Sequence, residues 1–261
     1  MSESVVLLPW ELPDAPPHVR RRQPVMEIPA ARGVRRDLRT RRDADPRLEY
    51  PFSFGIAIMS HRGSSNGRLS VLLSSIPWHY PVVVSSDSVA EADIQSDQDV
   101  CAHHGAEFRH CTPWGGRARN AIHTMAVAPW DVVLFLNDDI WLFPECVRES
   151  LAWYHELTSR GMPIATMAMP GWETYANWGQ WGFENWGQCL AEPWRFEDIP
   201  ANPAFAAGPQ LHKNAFGACM LVNRRAYEDL GGFRPEYWAE DDVWNHQVWV
   251  SGKWVVVNYP G

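Results

Sequence analysis

Residues 132–142 read VVLFLNDDIWL: an apolar run enters Asn137-Asp138-Asp139, and apolar character then resumes. Two adjacent carboxylates after a buried run repel each other unless a cation joins them. A hard divalent ion held by such a pair and by substrate phosphates is one solution, with Mg²⁺ or Mn²⁺ as the natural occupant. A second acidic cluster, Glu240-Asp241-Asp242, follows about a hundred residues later. In a metal-assisted transfer it would supply the general base. Acids in the first turn of a helix also suit the helix dipole on their own. Spacing alone does not choose between these readings.

The elements around the acids follow from hydrophobic periodicity. FSFGIAIMS reads as a buried strand and HRGSSNG as the loop after it. Leu69, Leu72, Leu73 and Ile76 repeat at helical spacing, and PVVVSSDS is a second strand ending on Asp87. A helix closed by Gly105 and a short strand fill the stretch to Cys111. GGRARNAIHTMAVA sets Ala118, Ala121, Ile122 and Met125 on one helical face. DVVLFLNDD is a strand; Pro144 marks a helix start, and Val147, Leu151 and Tyr154 stripe that helix. PIATMAM, GACMLV and KWVVVNY read as strands, while NRRAYEDLGG and AEDDVWNHQVWVSG read as helices. This alternation predicts an α/β fold with a mostly parallel sheet flanked by helices. Ligands of such sheets lie at the carboxyl ends of the strands. That rule collects Ser60–Arg62, Asp87 and Asn137–Asp139 on one edge, as a nucleotide or phosphate site would require.

Composition narrows the class. The chain has 261 residues, 46% of them hydrophobic, enough for a substantial core. No apolar stretch is long enough to span a membrane. The N-terminus lacks a basic segment, and Pro9 breaks its short apolar run, so a secretory signal is not expected. The expected location is the cytoplasm, or the host cytoplasm for a viral protein. Five widely spaced cysteines without a C-x-x-C point to reduced structural thiols. CAHHGAEFRHC is rich in ligand types but lacks the paired spacing of a zinc site. A helix end with histidines near its negative pole accounts for it.

Charge is uneven. Residues 1–50 hold ten Arg and eight acids, leaving −10 for the rest against −8 for the whole chain. Nine of those Arg lie within residues 18–42. A solvated Pro- and Arg-rich extension and a phosphate- or nucleic-acid-binding arm are the two readings. Residues 170–194 hold five Trp among Gly and Asn without a period. They serve either as packing or as a stacking platform for a sugar ring or nucleobase. Trp172, Trp178 and Trp181, with Trp238 just ahead of the second acidic cluster, are the candidate acceptor-binding residues.

The order of motifs resembles the GT-A fold nucleotide-sugar glycosyltransferases, specifically their large inverting family. GGRARNAI is similar to that family's G-x-A-x-A-R-N segment, and VLFLNDD to its strand ending in the DxD-type metal motif. GACMLVNRRAYEDLGGFRPEYWAEDDVWNHQVWVSGKWVVV is the most specific stretch. It shares the family's strand, helix and G-G-F before E-D, with Gly252 twelve residues after Glu240. The resemblance implies a Rossmann-like single catalytic domain. Residues 1–50 would be an extension, 51–165 the nucleotide-sugar half, and 166–261 the acceptor and catalytic-base half. It also implies a nucleotide-diphosphate sugar as donor. Asp139 would hold Mn²⁺ or Mg²⁺, and Asp138 would reach the donor ribose or diphosphate. Asp87 would contact the nucleoside, and Ser60, Arg62, Arg119 and Asn120 would line the donor pocket. Asp241 would be the base, and Glu240 would orient the acceptor or the base. SSDS replaces the family's usual acidic pair after the second strand. No Q-x-x-R-W follows the last helix, which argues against a processive synthase. The family's C-terminal histidine ligand has no clear equivalent, His212 and His246 being the candidates at hand.

Three outcomes are therefore open. The first is a transferase acting on a saccharide or other small or polymeric hydroxyl acceptor. The second is a viral-type transferase acting on hydroxymethylated DNA bases, which the negative catalytic region disfavours. The third is a non-catalytic nucleotide-sugar or carbohydrate-binding module.

Overall fold

A computed structural model of the chain describes residues 50–61, 67–77, 79–112, 116–140, 142, 146–169, 210–212, 215, 219–235 and 240–258. The Arg-rich extension, the Trp-rich tract, Arg62, Trp172, Trp178, Trp181 and Trp238 lie outside the described residues. Chain order is β1 (Phe54–Ser60), α1 (Arg68–Ser75), β2 (Val82–Ser86), α2 (Glu91–His103), β3 (Glu107–His110), α3 (Arg117–Val127), β4 (Val132–Asn137), α4 (Cys146–Ser159) and β5 (Ile164–Ala168). Then come β6 (Gln210–His212), β7 (Cys219–Asn223), α5 (Arg224–Asp229), α6 (Glu240–Ser251) and β8 (Val255–Asn258).

The strands form one sheet in the order β3-β2-β1-β4-β7-β5-β8-β6. β3, β2, β1 and β4 pair in parallel, as do β5 and β8. β7 runs antiparallel between β4 and β5, and edge strand β6 is antiparallel to β8. The mostly parallel sheet expected from the sequence is thus a mixed one in its second half.

Burial explains the composition of the central strands. Val133, Leu134, Phe135 and Leu136 of β4 and Ile56, Ala57 and Ile58 of β1 are fully buried, because helices cover both faces. Alternate side chains enter different cores. Ile56, Ile58, Leu134 and Leu136 pack with Leu69, Leu72, Cys101, Leu151 and Leu157 of α1, α2 and α4. Ala57, Val133 and Phe135 pack with Ala121 and Met125 of α3 and with Trp244 and Val248 of α6. Trp244 is fully buried, and its indole N–H donates to Thr166 Oγ1 at 2.6 Å, the partner a buried indole needs. Gly55 is required by packing: a Cβ there would lie 2.1 Å from the Trp130 ring.

The Cys- and His-rich patch is a helix end followed by a strand. α2 stops at His103, and Gly105 takes the left-handed φ of 69° that closes it. Cys101 and Cys111 are buried, and the His110 ring meets Ser88 O at 2.9 Å. Among the described residues, no group of three His, Cys, Asp or Glu is placed to hold a metal. No described helix is long and apolar enough to cross a membrane.

Candidate active site

The carboxyl ends of β1, β2 and β4 meet through side chains. Ser60 Oγ donates to Asp138 Oδ2 at 2.8 Å, and the His61 backbone N–H reaches the same oxygen at 3.1 Å. His61 Nδ1 lies 2.7 Å from Asp87 Oδ1, which ties the end of β1 to the turn after β2. Backbone contacts reinforce the convergence: Asp87 N–H donates to Ser60 O, and Asp138 N–H to Met59 O. Ser60 and Asp87 are buried, as is Asp138.

A polar layer supports these ends from behind. Asn120 of α3 is 1% exposed; its Nδ2 donates to Ser60 O at 2.9 Å, and its Oδ1 accepts from Ser85 Oγ at 2.6 Å. Asn120, expected in the donor pocket, straps α3 to β1 and β2. Arg119, its neighbour, is exposed, and its charge is felt at Cys111. On the other side of β2, Asp97 of α2 accepts from Ser86 Oγ at 2.6 Å and Ser88 Oγ at 3.0 Å. That pair of bonds fixes the turn that carries Asp87.

Burial sets the electrostatics of the Asp pair. It pushes the Asp138 carboxyl up to about 6; Arg68 opposes this, and Asp139 adds to it. Asp139 is half-buried and also raised by burial, with Arg68 and then Arg117 pulling it down. Both acids offer oxygen, the ligand atom that a hard dication prefers. Asp138 Oδ2 is committed to Ser60 and His61. His246 is exposed on α6, and His212 lies on β6.

The start of α6 belongs to the same region. Glu240 is 1% exposed and accepts from Arg117 Nε at 2.8 Å. Burial raises its carboxyl, and the Arg117 charge works against that shift. Asp241 is half-buried and Asp242 exposed. Trp244 and Asn245 anchor the helix, Asn245 Nδ2 donating to Ala215 O at 2.9 Å.

Two residues join the site that sequence reasoning did not single out, Arg68 and Arg117, while His61 falls within the Ser60–Arg62 segment expected there. His61 directly follows Ser60 and lies in the loop already assigned to the strand end. Arg117 carried a signal, since a cation at the first residue of a helix opposes the dipole and calls for a compensating acid.

Solved structures share this architecture. The chain is similar to the mannosyltransferase PcManGT from Pyrobaculum calidifontis, in complex with GDP-Man and Mn²⁺, with a TM-score of 0.55 and 15% identity over 87% of this chain and 60% of that one. It is similar to S. aureus TarS 1-349 in complex with UDP-GlcNAc, with a TM-score of 0.54 and 13% identity over 79% and 55% of the two chains. It is also similar to GalNAc-T7 with UDP, GalNAc and Mn²⁺, with a TM-score of 0.52 and 14% identity over 83% and 43%. The chain has the GT-A fold. It spans 60% or less of the length of these proteins. No protein-family model and no curated sequence matches it.

Proposed function

We propose that the protein is a metal-dependent inverting glycosyltransferase that moves a sugar from a nucleotide-diphosphate donor to an acceptor hydroxyl. The observation that carries this reading is the convergence of the strand-end acids Asp87 and Asp138, with the Arg117 charge acting on Asp139 and its guanidinium bonded to Glu240, the residue before Asp241. The three solved neighbours, which hold nucleotides or nucleotide sugars, two of them with Mn²⁺, support it.

In this reading Asp87 contacts the nucleoside, Asp138 reaches the donor ribose or diphosphate, and Ser60, Arg62, Arg119 and Asn120 are the other donor-side candidates. Asp139 would hold Mn²⁺ or Mg²⁺, which would supply positive charge to offset that of the departing diphosphate. Asp241 accepts the proton of the acceptor hydroxyl as its oxygen attacks the anomeric carbon. The bond from that carbon to the diphosphate oxygen breaks on the opposite face, which inverts the configuration. Trp172, Trp178, Trp181 and Trp238 are the candidates to stack on the acceptor.

The test is donor binding followed by turnover. A nucleotide sugar with Mn²⁺ should raise the unfolding midpoint, by the equivalent of about 2.7 kcal/mol at a hundred times its Kd. Asp139→Asn should keep the fold and abolish the Mn²⁺-dependent part of that shift. Full activity in excess chelator would defeat the metal role. Mn²⁺-dependent donor hydrolysis without acceptor separates an enzyme from a binding module. A DNA acceptor is the second reading, favoured by the nine Arg in residues 18–42. An acceptor panel that includes hydroxymethylated DNA decides between it and a saccharide.

A further inference from the structure

Arg117 occupies an unfavourable place unless it has a task. It is the first residue of α3, where the helix dipole opposes a cation, and the first turn contains no acid. The cap residue, Gly116, contributes no side-chain bond. The compensating charge comes from 123 positions away, where Glu240 Oε1 accepts from Arg117 Nε. Glu240 is itself the first residue of α6, and its second oxygen is buried with no hydrogen-bond partner among the described residues. The Arg117 side chain keeps 40% of its exposure, so the pair does not seal it from the site. Its charge also reaches Asp139 at the end of β4. One guanidinium thus stands between the acids of the donor side and those of the acceptor side.

We infer that Arg117 is a positioning residue that fixes the start of α6, and with it Asp241, against the metal-side carboxylate at the end of β4. The inference rests on the roles proposed above for Asp139 and Asp241. Three physical arguments support it. A buried carboxylate stripped of its cationic partner must move or take up a proton, so Arg117 helps to keep the first turn of α6 in place. A guanidinium holds its partner in a fixed plane, which an ammonium does not. A general base displaced by about 1 Å can cost roughly a hundredfold in rate, so a small slip of that turn is enough to matter.

The experiment compares Arg117→Ala, Arg117→Lys and Glu240→Gln in the full chain, with three readouts. Amide hydrogen exchange over residues 240–245 should quicken at least about tenfold in Arg117→Ala while β1 and β4 stay protected. Mn²⁺ titrated alone should bind about threefold more tightly to Arg117→Ala, because a cation has left the neighbourhood of Asp139, and with wild-type affinity to Arg117→Lys. Transfer should lose about tenfold or more in kcat in both, with donor KM within about threefold. A merely structural loss would weaken Mn²⁺ binding along with kcat. If Arg117→Ala does not fold, Arg117→Lys and Glu240→Gln give the same exchange and kcat readings. Unchanged exchange at the start of α6 together with unchanged kcat overturns the inference. If the wild type turns over no donor yet Arg117→Ala selectively loosens residues 240–245, the reaction assignment falls and the positioning role stands.

Discussion

At the residue scale the two neighbouring acids of α6 are not equivalent. Asp241 is half-buried and Asp242 exposed, turned about 100° apart around the helix. Asp241 follows a buried Glu240 whose carboxylate is held by Arg117, and it is the acid to which the proposed reaction gives the proton transfer. Asp241→Asn keeps size and polarity but cannot accept a proton. Its transfer rate should fall roughly a hundredfold or more while donor affinity stays near wild type. Asp242→Asn should be far milder. Kinetics of both variants, with NMR of the product's anomeric configuration, check this. A wild-type rate for Asp241→Asn, or retention of configuration, excludes the assignment.

At the element scale, the site end of the sheet depends on register set at the opposite end. Ser53 N–H and Ser53 Oγ both donate to Asp131 Oδ2, at 2.8 and 2.7 Å, and Asp131 N–H donates back to Ser53 Oγ at 2.9 Å. This clasp stands just before β1 and β4, whose parallel register runs from Phe54↔Val132 to Met59↔Asn137. It therefore determines that Ser60 arrives opposite Asp138. The Ser53 backbone and hydroxyl bonds hold the Asp131 carboxyl below its usual range. A depressed carboxyl stabilises the fold above its unfolded value, near 3.8, and loses that contribution as pH falls through the lower folded value. Asp131→Ala should lower the unfolding midpoint at pH 7, and the gap to wild type should narrow as pH drops below about 4. Thermal melts from pH 7 to pH 3 measure it. A gap that widens on acidification would contradict the clasp.

At the scale of the whole molecule, the described residues open at Tyr50 with a set of ring contacts. The Tyr50 ring stacks on Phe52 at 5.1 Å, and Phe52 meets Tyr154 of α4 edge-on at 5.4 Å. Deleting residues 1–48 leaves those contacts in place, so the remaining chain should unfold at an unchanged midpoint. If the Arg-rich segment holds nucleic acid, the same deletion should weaken DNA binding and flatten its salt dependence. Absence of DNA binding by the intact chain at low salt removes the DNA-acceptor reading. Cys101, whose thiol is pushed up to about 12, and Cys111 and Cys219, also raised, owe this first to burial. None of the three is a ready nucleophile at neutral pH.

The periodic signals in the sequence determined most of the fold, because strand and helix patterns depend on neighbours along the chain. The runs ending at Ser60, Asp87 and Asn137 were legible as parallel strands with their carboxyl ends on one edge, and the acids Asp138, Asp139, Glu240 and Asp241 with them. Short β6 carried no readable pattern, and the antiparallel insertion of β7 between β4 and β5 is a matter of pairing rather than periodicity. On α3, Ile122 is only half-buried while Asn120 and Thr124 are buried. That face serves a hydrogen-bonded strap as well as a core, which apolar spacing does not encode. The His61–Asp87 and Arg117–Glu240 pairs were invisible for the same reason. Their members lie 26 and 123 residues apart. Only strand order, register and helix packing decide that those charges meet.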